Sequence, residues 1–456
     1  MKKTGVVILV LCFVACLRLG TNQPDAGVET DLDAGMRVRP ASSRHIDAGQ
    51  PGPGTFRFTI SGERFAREGY PFPPAALGEP AFVDGWELHF DYLLVSVDKI
   101  SLWETPDLSE TDPMQVGTKV AEATGPWIVD LHRGPLDAGT PDAGETDAGE
   151  RDGGDDTDAG ELDAGEEGDG GMPDAGPGSG DPLAVTITLL FDQNLLSHRP
   201  FDPTKRYAVS FELARPVAGS QLINLVPQAE TEYQTMRQNG YVIYYIGTAV
   251  WRGTSDTCTS TDGQFDFSRT PTTIRSFRLG FKTPTRYLNC QNPDLPGPGI
   301  GSEPHPRGVI PSSETETTVQ LTLRTDQLFW ENYDAADAPL HFDQFAVAAH
   351  RDLLGYSLPA AELPVGDGGI LRQNYTMFAI PWRSCSRDLT GYSPPDREAR
   401  MGFQHRLYYD PNLTQPLSSS TSFRDYYDLA SHIQSGQGYL GARGVCAVQR
   451  QFPSRP

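Results

Sequence analysis

The chain has no Gly-x-Ser-x-Gly elbow, no His-Glu-x-x-His helix, no phosphate-cradling P-loop and no c-type haem motif. These absences remove the hydrolase, zinc-peptidase, nucleotide-binding and cytochrome chemistries that depend on such local geometry. Gly297-Pro298-Gly299-Ile300-Gly301 is glycine-rich, but its proline and the lack of a following helix make it a surface turn. Positive charge is scarce: 37 Lys and Arg face 60 Asp and Glu, for a formal net charge of −23. That balance argues against a nucleic-acid partner. There is also no Cys-x-x-Cys pair, which argues against a four-cysteine zinc site. No cofactor motif is found. Glycosidases lack a local signature, so a secreted hydrolase acting on a polymer through two distant carboxylates stays open. The balance favours a binding or structural protein over an enzyme.

Lys2 and Lys3 precede an apolar run over residues 6–15 that is too short to span a bilayer, as in a signal-peptide core. It ends in Phe13-Val14-Ala15-Cys16, a small residue immediately before a cysteine. This tetrapeptide resembles the lipobox of bacterial lipoproteins, with Phe13 where the family pattern prefers an aliphatic residue. The resemblance implies cleavage after residue 15, acylation of Cys16 and an N-terminal lipid as the membrane partner. Leu17 follows the cysteine; by the same resemblance, the absence of Asp there points to the outer membrane or cell surface.

Asp-Ala-Gly recurs at Asp25, Asp33 and Asp47, then at Asp137, Asp142, Asp147, Asp158, Asp163 and Asp174. Residues 137–181 hold 11 Asp and 5 Glu against Arg151 alone, a net charge of −15 that leaves −8 for the rest. With so little apolar surface to bury, such a segment cannot offset its ordering entropy and is expected to stay extended and solvated. Asp155-Asp156-Thr157-Asp158 lacks the offsets of a calcium loop. The triplets resemble linkers in surface lipoproteins of myxobacteria and related groups, which implies an address and no activity. The expected organisation is a signal peptide (1–15), a disordered tether (16–54), one β domain (55–133 plus 182–350) interrupted by a disordered acidic insertion (134–181), and a C-terminal extension or small second domain (351–456).

The body reads as mainly β and sandwich-like. Phe56, Phe58 and Ile60 alternate with polar residues, and Trp86, Leu88, Phe90 and Tyr92 share one face. The pattern then slips to Leu93, Val95 and Val97, as a bulge would produce. Further strands are expected over residues 127–131, 185–191, 207–213, 241–251, 277–281, 319–323 and 345–349. The run 241–251 is apolar on both parities and should be a central strand covered on both faces. One helix is expected near the C-terminus, with Ser422 and Asp425 as a capping box, a stripe of Phe423, Tyr426, Ala430 and Ile433, and Gly436 as its end.

Besides Cys16, the mature chain keeps Cys258, Cys290, Cys385 and Cys446, an even count that suggests two disulfides after export. Three connectivities are possible; Cys258 with Cys290 and Cys385 with Cys446 is favoured because each pair then stays within one region. Two constellations carry candidate chemistry. Glu87, His89 and Asp91 alternate on one strand face, and His341 and Asp343 on another; were those strands neighbours, these side chains could hold a divalent metal, with His305 nearby. Local hydrogen bonding on solvated faces is the plainer reading. Tyr241, Tyr244, Tyr245 and Trp251, and later Tyr408, Tyr409, Tyr426 and Tyr427, could face sugar rings, although strand aromatics first suggest packing. The partner expected is a protein or glycan outside the cytoplasm.

Overall fold

The computed structural model describes residues 52–135, 180–260, 266–270, 272–330, 339–349, 382–391, 408–410, 412–414, 422–424 and 426–452. The signal peptide, Cys16 and most of both Asp-Ala-Gly segments lie outside them.

The smaller sheet is built from β1 (Phe56–Ser61), β5 (Val185–Leu190), β12 (Thr317–Leu323), β16 (Gly438–Leu440) and β17 (Gly444–Val445), in the order β17-β16-β12-β1-β5. Its centre is β1, parallel to β12 and antiparallel to β5. The larger sheet runs β10-β8-β2-β6-β11-β18 through β2 (Trp86–Glu104), β6 (Tyr207–Leu213), β8 (Ile243–Trp251), β10 (Thr273–Phe281), β11 (Thr285–Leu288) and β18 (Ala447–Arg450). To β2 are also paired β3 (Lys119–Ala123) and β4 (Trp127–Asp130), and β7 (Gln221–Ile223) runs parallel to β4. Strands from residues 438–450 thus belong to both sheets.

The alternation seen in the sequence sets the faces. Phe56, Phe58 and Ile60 are fully buried, and the Phe56 ring meets Phe201 at 5.0 Å and Tyr207 of the larger sheet at 6.4 Å. The buried faces of the two sheets therefore share one core, in which each large apolar side chain contributes about 1.5–3 kcal/mol. The bulge in β2 is present: Phe90 pairs with Gly247 and Tyr92 with Ile246, leaving Asp91 as the extra residue.

β8 is central and covered on both sides. Ile243, Tyr245 and Ala249 enter the main core, whereas Tyr244 and Ile246 pack under Tyr233 and Met236 of α2 (Glu230–Asn239). Gly240 ends α2 in the left-handed region at φ 68°, a conformation glycine adopts without a Cβ clash.

Among the described residues, four helices escape the sequence pattern: α1 (Glu63–Glu68), α2, α3 (Asp343–Ala349) and α4 (Arg387–Thr390). The strand expected over residues 345–349 is corrected to α3. Its short apolar run fits either period, and what decides is a cap from far away: Asp84 Oδ2 accepts the backbone N–H groups of Phe342 and Asp343 at 2.7 Å each. The C-terminal helix is α5 (Tyr426–Gln434), preceded by the short strands β14 (Tyr408–Tyr409) and β15 (Ser422–Phe423), so Ser422 is a strand residue and does not cap α5. Asp425 lies outside the described residues.

The favoured disulfide connectivity is also corrected: the bonds join Cys258 to Cys385 and Cys290 to Cys446, across 127 and 156 residues of sequence. Strand pairing is the reason. β9 (Cys258–Ser260) pairs with β13 (Arg383–Cys385) so that Cys258 faces Cys385. Antiparallel pairing of β11 with β18 brings Cys290, just past β11, to Cys446, just before β18.

The ends of the acidic insertion are held close together. Asn224 donates from Nδ2 to the carbonyls of Asp130 and Arg133, at 3.2 and 3.0 Å. Across from them Asp181 accepts from Arg67 at 2.6 Å and from Ser61, and its backbone N–H donates to Gln320 Oε1 at 2.6 Å. A Cβ on Gly134 would lie 3.5 Å from the Leu183 side chain.

Candidate functional site

The residues singled out as metal ligands are not brought together as one set. Pleating of β2 turns Trp86 inward and Glu87 and His89 outward. On the outer side His89 lies 3.2 Å from Glu87 Oε1, and Arg252 holds the same carboxylate at 3.0 Å. Burial would raise the Glu87 carboxyl, but hydrogen bonds from Arg252 and His89 outweigh it and hold it below the ordinary range. Asp91 is exposed at the bulge. His341 and Asp343 belong to the inner side: Trp86 Nε1 donates to Asp343 Oδ1 at 2.8 Å, and the His341 ring lies 3.7 Å from that of Trp382. Among the described residues no three His, Cys, Asp or Glu side chains are gathered so as to hold a metal ion.

Asp343 belongs instead to a buried ionic knot. The Arg383 backbone N–H donates to Asp343 Oδ2 at 2.8 Å, and its guanidinium makes further bonds to both carboxylate oxygens. The guanidinium carbon stacks 4.0 Å from the Trp251 ring centroid and 4.9 Å from that of Phe267. Asp84, which caps α3, is fully buried; desolvation first and the Asp343 charge second push its carboxyl well above the usual range. Asp84 and Asp343 are a pair of interacting carboxylates, but both are 0% exposed and out of reach of a polymer chain. The knot sits two residues from the Cys258–Cys385 bond and ties β13 to β2 and α3.

The described tyrosines of the aromatic constellation are core. Tyr241, Tyr244 and Tyr245 are fully buried, and the Tyr245 hydroxyl donates to Gln437 Oε1 at 2.6 Å. Tyr427 donates to the Gly280 carbonyl at 2.8 Å, and Trp251 Nε1 to the Asp84 carbonyl at 2.9 Å. The side chains of Tyr408, Tyr409 and Tyr426 lie outside the described residues.

A concavity open to solvent lies on the outer face of the larger sheet, with a volume of about 740 Å³. Strand register builds it. Asp98 of β2 pairs with Glu212 of β6, Glu212 with Arg286 of β11, and Arg286 with Gln449 of β18, a polar row across four strands. The β2–β6 register slips between Asp98 and Ser101, and at this bulge Lys99 takes a φ of 43° and turns its side chain outward. Asp98 Oδ1 accepts the backbone N–H groups of Lys99 and Gly125 at 2.8 Å each, which fixes the bulge. Lys119 and Glu122 of β3 add one wall, and Leu213 and Phe452, both buried, also border it.

Four cations thus line the groove with two carboxylates. Glu212 lies between Lys99, at 3.2 Å, and Arg286, at 2.7 Å. Glu122 accepts from Lys119 at 2.5 Å and from Ser101 at 3.0 Å; burial would raise its carboxyl, but these bonds hold it low. Arg215, exposed beyond the end of β6, meets no carboxylate among the described residues.

No family model, curated protein or solved structure matches this chain.

None of these groove residues stood out in the sequence. Lys99, Lys119, Arg215 and Arg286 are scattered over almost two hundred positions and converge only through strand pairing. The one local signal was parity, since Glu212 and Arg286 are the polar positions between buried neighbours.

Proposed function

We propose that this protein is an exported lipoprotein, anchored in the outer membrane or at the cell surface through an acyl group on Cys16, whose β body is a binding or structural module for a protein or glycan partner. The observation that supports export most is the pair of disulfides, which use all four cysteines of the body; such bonds form and persist in oxidising compartments. Each closes a long loop, a role suited to bracing a displayed body. The open groove on the outer face of the larger sheet is the feature that suits binding.

The anchor is tested by labelling expressing cells with a palmitate analogue and separating membrane from soluble fractions. Wild-type protein is expected in the membrane fraction with label, and Cys16→Ser protein without label. Label and membrane association that survive Cys16→Ser would overturn the assignment of Cys16.

A further inference from the structure

We propose that the groove on the outer face of the larger sheet binds a multiply charged anion of small-molecule size, its phosphate or carboxylate groups met by Lys99, Lys119, Arg215 and Arg286. This deepens the reading of the body as a binding module and is independent of the anchor.

Three observations lead here. The first is charge: the groove is positive, four cations to two carboxylates, on a chain that outside residues 137–181 carries a net charge of −8. A cationic concavity concentrates field locally, so it selects the ligand's sign. The second is that the cations are held ready. Glu212 positions Lys99 and Arg286 from the strand between them, and Glu122 positions Lys119, so their heads are set before any ligand arrives. Arg215 is the exception: its stem lies against the end of α2, where a Cβ on Gly240 would sit 3.5 Å from Cδ, and its guanidinium meets no carboxylate among the described residues. The third is size: about 740 Å³ falls within the range of small-molecule sites. The two pairs, Lys99 with Lys119 on the β2–β3 side and Arg215 with Arg286 on the β6–β11 side, suit a ligand with more than one anionic group.

The test is calorimetric titration of the full chain with inositol hexakisphosphate and, separately, with citrate. One-to-one binding is expected, weakening by about fivefold or more between 50 and 200 mM salt, as charge-driven binding does. Arg215→Glu and Lys99→Glu are each expected to weaken it by about tenfold, and Arg443→Glu, an exposed arginine outside the groove, to leave it unchanged. Melting curves on every variant separate lost binding from lost folding, and Arg215→Gln serves where Arg215→Glu melts early. A pelleting arm with phosphatidylglycerol vesicles and Cys16→Ser protein distinguishes a lipid headgroup from a free anion as the phosphate source. Pelleting that is lost with Arg215→Glu, alongside titration binding, supports the site with a headgroup among its ligands; titration binding without pelleting supports it with a free anion. Failure of both anions to bind the folded protein, or equal binding by wild type and both groove variants, overturns the inference while leaving the palmitate result as it stands.

Discussion

Asp343 and Arg383, forty residues apart in sequence, form an ion pair in which both partners are buried, and the Arg383 backbone N–H donates to the same carboxylate at 2.8 Å. Removing one partner of such a pair strands the other without compensation. Asp343→Asn is expected to cost about 3–5 kcal/mol, read as a lower midpoint in denaturant titrations. Asp84→Asn is expected to behave in the opposite sense. The Asp84 carboxyl is raised in the folded state, so its contribution is full below the ordinary value of 3.8 and is lost as pH rises toward its folded value. The stability of Asp84→Asn relative to wild type should therefore increase from pH 4 to pH 8. A difference that is flat with pH would show that Asp84 ionises in the folded protein as it does in the unfolded chain.

His432 predicts the behaviour in acid. Burial, and then the nearby Arg450 charge, lower its imidazole from 6.5 to about 3. Between those values the unfolded chain binds a proton that the folded protein refuses, so this contribution is present above pH 6.5 and lost as pH falls, by about 1.4 kcal/mol per pH unit at most. Denaturant midpoints measured from pH 7 to pH 4 should fall less steeply for His432→Gln than for wild type. Parallel slopes would assign the acid sensitivity to other groups.

The acidic insertion leaves and re-enters the body at one place, where Gly134 approaches Leu183 and where Asn224, Arg67 and Gln320 hold its two ends. Replacing residues 138–177 by a few Gly and Ser residues is therefore expected to leave both disulfides intact and to shift Tm by only a few degrees, since shortening a loop between adjacent ends changes closure entropy slowly. A large drop in Tm would mean that the insertion contributes contacts to the body.

How much of this was legible in advance follows from the range of the interactions involved. Pleat alternation is local, so β1, β6, β12 and the bulge of β2 could be read from residues two apart, and the burial of β8 on both faces from its unbroken apolar run. The cover over β8 was harder to see, because α2 buries only Tyr233 and Met236 and otherwise looks like a polar loop. The strand expected at residues 345–349 failed because its competitor, a helix, is capped by Asp84 from more than 250 positions away.

The same division separates composition from site. The acidity of the Asp-Ala-Gly segments, the even count of body cysteines and the β periodicity are properties of nearest neighbours and totals, and the sequence alone settled them. Cys258 with Cys385, Asp343 with Arg383, and the four cations of the groove are pairings between distant strands. Sheet register decides which residues face one another, and register depends on how the whole core closes, which no local run of residues encodes.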